Sequence, residues 1–278
     1  MKLPAPYLEG ALRAAYDAWQ ERALARFSPP LTFQEIRRGV QALSLLYVER
    51  RGEGDLAARS LDGDGKRAAF ALFYAPLHFL TLFHALRSRD LGAVSRVVDV
   101  GCGTGAVGAA AALAFAERSG GAPPQILGVD RSGFALGEAR RTAADLGLRG
   151  AWKRGALPQA LPALRASDFA CLGWCANELA EKARDSVLVS LVTALERGTG
   201  LVVAEPLAAG VTPWWRDWAA AFAEHGGVSF EARARLALPA LVKQLDKAAG
   251  LDHQEIGARV LFVPARELPS QPGSRRTT

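Results

Sequence analysis

Apolar residues recur at helical spacing from the start of the chain. Leu8, Leu12, Ala15, Trp19 and Leu24 follow one face, and Ser28-Pro29-Pro30 stops the run. Thr32, with Glu35 three residues on, forms a capping-box signature and predicts a second helix reaching about Glu49. Residues 51–66 are polar and glycine-rich and read as a loop, after which a helix is expected over residues 67–89, bent near Pro76. From about Ser95 the pattern changes to short β-branched runs alternating with helical ones. Strands are expected at residues 96–100, 125–130, 168–173, 200–205 and 260–263, with a further one ahead of the Lys153-Arg154-Gly155 run. Helices are expected up to Ala116 and over residues 132–146, 186–196 and 213–225. This alternation predicts an α/β fold with a mostly parallel sheet and helices on both faces. The division expected is an N-terminal helical cap over 1–92, a sheet domain over 93–268 and a disordered polar tail over 269–278.

Composition refines this little. The 278 residues are half hydrophobic, enough for a sizeable core. Residues 68–86 lack Asp, Glu, Lys and Arg, which is marginal for a membrane span. Pro76, His78 and His84 within them favour a buried helix, so no membrane is expected. Charges throughout the first thirty residues leave no apolar signal core, so a cytoplasmic location is expected. The net charge of +6 is dispersed: Lys and Arg number 13 against 10 Asp and Glu in residues 1–92, and 21 against 18 in the remainder. That leaves RNA as a possible partner without pointing to a binding patch. Cys102, Cys171 and Cys175 form neither a disulfide framework nor a zinc spacing, and no metal is expected. Asp62-Gly63-Asp64-Gly65 has a calcium-loop look, but the twelfth position is Phe73, so it reads as a solvated turn.

The chemistry concentrates at Gly101, Gly103 and Gly105, which follow the first strand and open a helix. Glycines there admit close approach of a ligand to the backbone, and the helix N-terminus attracts negative charge. Gly103, Gly105 and Gly108 also satisfy the dinucleotide fingerprint, which leaves another nucleotide open. Asp99, two residues before the first glycine, would repel a pyrophosphate and attract an ammonium. Asp130, ending the second strand, suits the hydroxyls of a ribose.

Val-Val-Asp-Val-Gly-Cys-Gly-Thr-Gly at 97–105 and Gly-Val-Asp-Arg-Ser at 128–132 resemble the first two motifs of class I S-adenosylmethionine-dependent methyltransferases. The resemblance covers about 93–265. It implies their Rossmann-like seven-stranded sheet, S-adenosylmethionine as cofactor, and methyl transfer to a small molecule or to RNA. By position it implies Asp99, Gly101, Cys102, Gly103 and Gly105 at the methionine end, and Asp130 with Arg131 at the ribose and adenine. The acid that many members carry after the third strand is missing, so Gly155, Ala156 and Leu157 are expected to hold adenine through their backbone. The loop after the fourth strand, where the methyl group points, offers Asn177 and Glu178 to orient or deprotonate an acceptor, or to serve as helix-capping groups. Trp174 is expected to stack on the adenine or face the sulfonium, or to pack in the core; Cys175 reads as a small buried residue. Tyr74 and His78, in the cap, are expected to meet the substrate. Trp214, Trp215 and Trp218 read as packing, and His225 as a helix-end group. The Trp-Cys-Ala-Asn-Glu-Leu run at 174–179 and Val-Ala-Glu-Pro at 203–206 are also similar to methyltransferase-like assembly factors of the small (mitochondrial-type) ribosomal subunit. That likeness implies the alternative of a non-catalytic, S-adenosylmethionine-binding, RNA-associated factor.

Overall fold

The computed structural model describes residues 4–49 and 60–266. Helices α1 (Gly10–Phe27), α2 (Phe33–Glu49) and α3 (Asp64–Leu86) precede the sheet. The capping box forms: the Glu35 carboxylate accepts from the Thr32 N–H at 2.7 Å, and the Glu35 N–H donates to the Thr32 hydroxyl at 3.3 Å. Residues 51–59 of the expected loop lie outside the described residues. Asp62 pairs with Lys66 and Asp64 with Arg67 at the start of α3.

Helix α3 carries one π-turn over Phe70–Tyr74, just before Pro76, where the Ala75 N–H reaches back to the Phe70 carbonyl. Pro76 opens the α-helical segment Ala75–Leu86. A first-turn proline costs a helix little, and the wider turn before it absorbs the missing N–H. Among the described residues α3 alone is long and apolar enough to cross a membrane, and 78% of its apolar window is buried within the protein.

Strands β1 (Arg96–Val100), β2 (Gln125–Asp130), β3 (Gly150–Arg154), β4 (Asp168–Gly173) and β5 (Gly200–Glu205) are parallel. Helices α4 (Ala106–Ser119), α5 (Gly133–Asp145) and α6 (Glu181–Glu196) connect them. After α7 (Trp215–Ala223) come β6 (Val228–Ala234), α8 (Ala240–Ala248) and β7 (Ile256–Val263). The sheet order is β3-β2-β1-β4-β5-β7-β6, with β7 antiparallel to both of its neighbours. The seven strands implied by the sequence resemblance are present. Strand β6 and helix α8 are additions to the elements read from the pattern, α6 starts five residues earlier than expected, and β7 is longer.

Alternation along the strands divides the core. Val97, Phe169, Cys171, Val202 and Val260 face α3, α4 and α8. Val98, Val100, Ala170, Leu172, Leu201 and Val203 face α6 and α7, where Trp214, Trp215 and Trp218 pack as expected. Covered on both faces, β4 and β5 are buried almost throughout, as central parallel strands are. The face holding α4 is shared with the N-terminal helices. Ala68, Leu72, Phe79 and Phe83 of α3 belong to the same cluster as Ala109–Ala112 of α4. Arg26 of α1 joins α5 through Glu138 at 3.0 Å and Asp145 at 3.1 Å.

Candidate active site

The turn after β1 is built on backbone that side chains avoid. Gly101 has φ +69° and Gly105 φ +79°. A Cβ at Gly101 would stand 2.9 Å from the Cys175 sulfur, and one at Gly105 3.0 Å from Ala139 of α5. Gly105 therefore serves helix packing and lies outside the cavity wall. Asp99 also departs from expectation. Its side chain sits fully buried beneath the turn, and Oδ2 accepts from the Gly108 N–H at 2.8 Å. Asp99 thus ties α4 to β1 and does not line the cavity, because strand alternation turns it toward the helix. Burial pushes its carboxyl up to about 7.

Asp130 faces the cavity from the end of β2. Its Oδ2 accepts from the Gly103 N–H at 2.9 Å and its Oδ1 from the Ser132 N–H at 2.7 Å. Burial raises this carboxyl despite the backbone N–H groups that bond to it.

Where β4 and β5 end, the floor is held under strain. Trp174 has φ +53°, in the left-handed region, and its N–H donates to the Ala204 carbonyl at 2.7 Å. Its ring stacks on His78 of α3, centroids 3.8 Å apart and planes within 5°. Burial drives His78 down to about 3, so the stack pairs an indole with a neutral imidazole. Beyond it, Asn177 and Glu178 lie in a 3-10 turn, Ala176–Glu178. The helix that Asn177 was expected to cap begins later, at Glu181. Glu205, wholly buried, accepts the Asn177 N–H at 3.1 Å. Burial, with help from neighbouring carboxylates, pushes Glu178 and Glu205 each up to about 8. Cys175 donates to the Val100 carbonyl at 3.2 Å, and burial raises its thiol well above the usual range, as befits a packed residue and not a nucleophile.

The glycine turn, Asp130 and the residues that follow β4 border one cavity of about 460 Å³ over the carboxyl ends of the strands. Of the residues singled out in the sequence, it gathers Gly101, Cys102, Gly103, Asp130, Arg131, Gly155, Ala156, Leu157, Trp174, Asn177 and Glu178, together with Tyr74 and His78 of α3. The glycine turn and the ends of β2 and β3 form one half. Ser44, Tyr47, Phe70, Tyr74 and Leu251 help to form the other.

Sequence reasoning missed two groups. Glu205 was noticed as part of a motif and given no role. His253, in the α8–β7 connection, lines the cavity while its Nδ1 lies 2.5 Å from Oδ1 of the buried Asp246. The second oxygen of Asp246 accepts the His253 backbone N–H at 2.9 Å. Asp246 belongs to α8, which the hydrophobic pattern had not identified, so nothing in the sequence paired the two. Among the described residues no group of three or more His, Cys, Asp or Glu is arranged to hold a metal ion.

The cavity walls fit a nucleoside ligand bearing positive charge. The Thr104 hydroxyl and the Asn177 side-chain carbonyl, both on lining residues, are buried with no hydrogen-bond partner among the described residues. Buried polar atoms of this kind ask for water or ligand. Three desolvated carboxyls, on Asp130, Glu178 and Glu205, crowd this end of the sheet.

No family model matches the chain, and no curated protein matches its sequence. Solved structures do. A mitomycin 7-O-methyltransferase, MmcR, aligns over 92% of this chain and 76% of its own at 16% identity and TM-score 0.48. An O-methyltransferase from neocarzinostatin biosynthesis, NcsB1, solved with S-adenosylmethionine and 2-hydroxy-5-methyl naphthoic acid, aligns over 81% and 70% at 18% identity and TM-score 0.48. The [4+2]-cyclase SpnF aligns over 66% and 80% at 20% identity and TM-score 0.43. The strand order, with an antiparallel β7 between β5 and β6, and the glycine turn braced by Asp130 decide the fold. It is a Rossmann-like α/β fold. In this fold the chain adds a helical wall, α2 and α3, over the strand ends where open α/β sheets place ligands.

Proposed function

We propose that the chain is an S-adenosylmethionine-dependent methyltransferase acting on a small molecule. The observation that carries this reading is the continuity of the cavity. One space of about 460 Å³ runs from the glycine turn and Asp130 to an aromatic half walled by Phe70, Tyr74 and His78. That size is ordinary for a small-molecule site, about 300–1,000 Å³. The turn at Gly101 and Gly103 would hold the methionine end, Asp130 the ribose hydroxyls, and Arg131 with Gly155–Leu157 the adenine. When bound, the cofactor supplies a methyl group on a positively charged sulfur. Asp130 favours that charge electrostatically, Glu178 does so once ionised, and the α3 wall excludes water from the neighbouring acceptor space. A continuous route between the halves favours an active enzyme over a silent binding factor, and an aromatic wall over the strand ends favours a compact acceptor over a nucleic-acid strand.

Calorimetry with S-adenosylhomocysteine tests the reading. Wild type should bind, and Gly103→Arg should not. The ideal Cβ at Gly103 already stands 3.4 Å from the Phe70 ring at φ +50°, so a long side chain there must fill the cradle. Equal binding by the two proteins, or tighter binding of NADH, defeats it.

A further inference from the structure

The acceptor half of the cavity contains a polar device that the cofactor reading does not use. His253 and Asp246 are seven residues apart, at the end of α8 and in the connection to β7. The connection is drawn against α3, where the His253 ring lies 6.0 Å from that of Phe73. Asp246 is buried and spends both carboxylate oxygens on His253, one on the ring Nδ1 at 2.5 Å and one on the backbone N–H at 2.9 Å. A carboxylate on Nδ1 fixes the proton there and leaves the lone pair on Nε2. Nε2 has no protein hydrogen-bond partner among the described residues, and His253 lines the cavity. The His253 side chain is 39% exposed, at the edge of that space. A buried carboxylate orienting an imidazole that borders a cavity is the arrangement of a general base.

We infer that His253, oriented by Asp246, is the general base for a hydroxyl acceptor held between α2, α3 and the α8–β7 connection. The inference rests on the methyltransferase reading above. In the step, the acceptor O–H bond breaks and a bond from that proton to His253 Nε2 forms. The electron pair stays on the acceptor oxygen, which becomes the nucleophile, and the imidazolium later releases the proton to solvent. Lining by Phe70, Tyr74 and Leu251 makes a hydroxylated aromatic compound the fitting class. His253 is the catalytic residue and Asp246 the positioning residue.

Two measurements on the full chain test this. Nitrogen-15 NMR of the S-adenosylhomocysteine complex should find His253 as the Nδ1–H tautomer, and Asp246→Asn should shift that balance. An Nε2–H tautomer in wild type overturns the assignment. Labelled methyl transfer from S-adenosylmethionine is then followed with catechol, 4-nitrophenol and 4-nitroaniline as acceptors. Transfer to a phenol is expected, about 100-fold slower in His253→Ala, with partial recovery on adding imidazole. His253→Gln, which keeps a polar group against Asp246, guards against a folding defect, and S-adenosylhomocysteine affinity should be unchanged in both variants. Undiminished transfer by His253→Ala, transfer to the aniline alone, or transfer to neither class by a protein that binds S-adenosylhomocysteine overturns the inference. Failure of wild type to bind S-adenosylhomocysteine refutes the underlying cofactor reading instead.

Discussion

Replacing Glu205 with glutamine should change how the stability of the free protein depends on pH. Glu205 is wholly buried, and its Oε2 has no hydrogen-bond partner among the described residues. Burial pushes its carboxyl from an ordinary 4.5 up to about 8, against the pull of the Asn177 N–H and with Glu178 adding to the rise. Between those two values the folded chain keeps a proton that the unfolded chain has lost, so stability falls as pH rises. Each pH unit in this window costs about 1.4 kcal/mol. From pH 6 to pH 8, with the group half-ionised at the upper end, the loss is about 2 kcal/mol, or about 5 °C in melting temperature for a chain of this size. Glutamine keeps the acceptor for Asn177 and cannot ionise, so this component vanishes. Glu178 and Asp99 are raised as well and remain in the variant. The quantity to read is therefore the wild-type slope minus the variant slope. Urea denaturation or circular-dichroism melts at pH 6, 7 and 8 supply it. Parallel pH profiles for the two proteins would mean that Glu205 stays solvated or finds a cation, and would refute the argument.

Two further outcomes follow from the same geometry. Asp130→Ala removes the acceptor that braces Gly103 and faces the ribose position, and should weaken S-adenosylhomocysteine binding by about 1.5–3 kcal/mol in calorimetry; an unchanged affinity with intact folding would give the hydroxyls to another group. Deleting residues 1–89 strips α3 from α4 and exposes Ala109–Ala112, which share a cluster with it. The shortened chain should lose its cooperative melt, and a soluble, cooperatively melting product would mean that the helices are a detachable cap.

The parallel half of the fold could be read from the sequence because its signals are local and strong. Strands β1, β2, β4 and β5 carry β-branched or apolar runs buried on both faces, and their ends fall where the pattern placed them. Strand β6 escaped because it is an edge strand: its outward residues are exposed and its inward ones include Ala232 and Ala234, which make a weak alternation. Helix α8, nine residues long like α7, was not read from the pattern. The site divides similarly. The glycines and Asp130 announce themselves by position within a motif. Asp99 belongs to that motif too, but whether a strand residue points at ligand or at the following helix depends on how α4 sits, and the Gly108 N–H claims it. The pairing of His253 with Asp246 depends on how a helix ends, which no residue spacing records.

The π-turn in α3 sets a phase within that helix. It contains one residue more per turn than its flanks, so the segments before and after it are rotated relative to each other by an amount that one inserted residue defines, about 100° on an α-helix. Downstream of it, Phe79 meets Tyr16 and Trp19 of α1, and His84 reaches the Tyr7 carbonyl at 2.7 Å. Within and beside it, Phe70, Tyr74 and His78 face the cavity. Removing a single residue from Phe70–Tyr74 would swing the downstream face away from α1, whereas exchanging one aromatic side chain for another there would leave the contacts with α1 in place. The number of residues in α3 is thus under tighter constraint than the identity of those it turns toward the cavity, so the cavity wall can diverge along this helix by substitution but not by insertion or deletion.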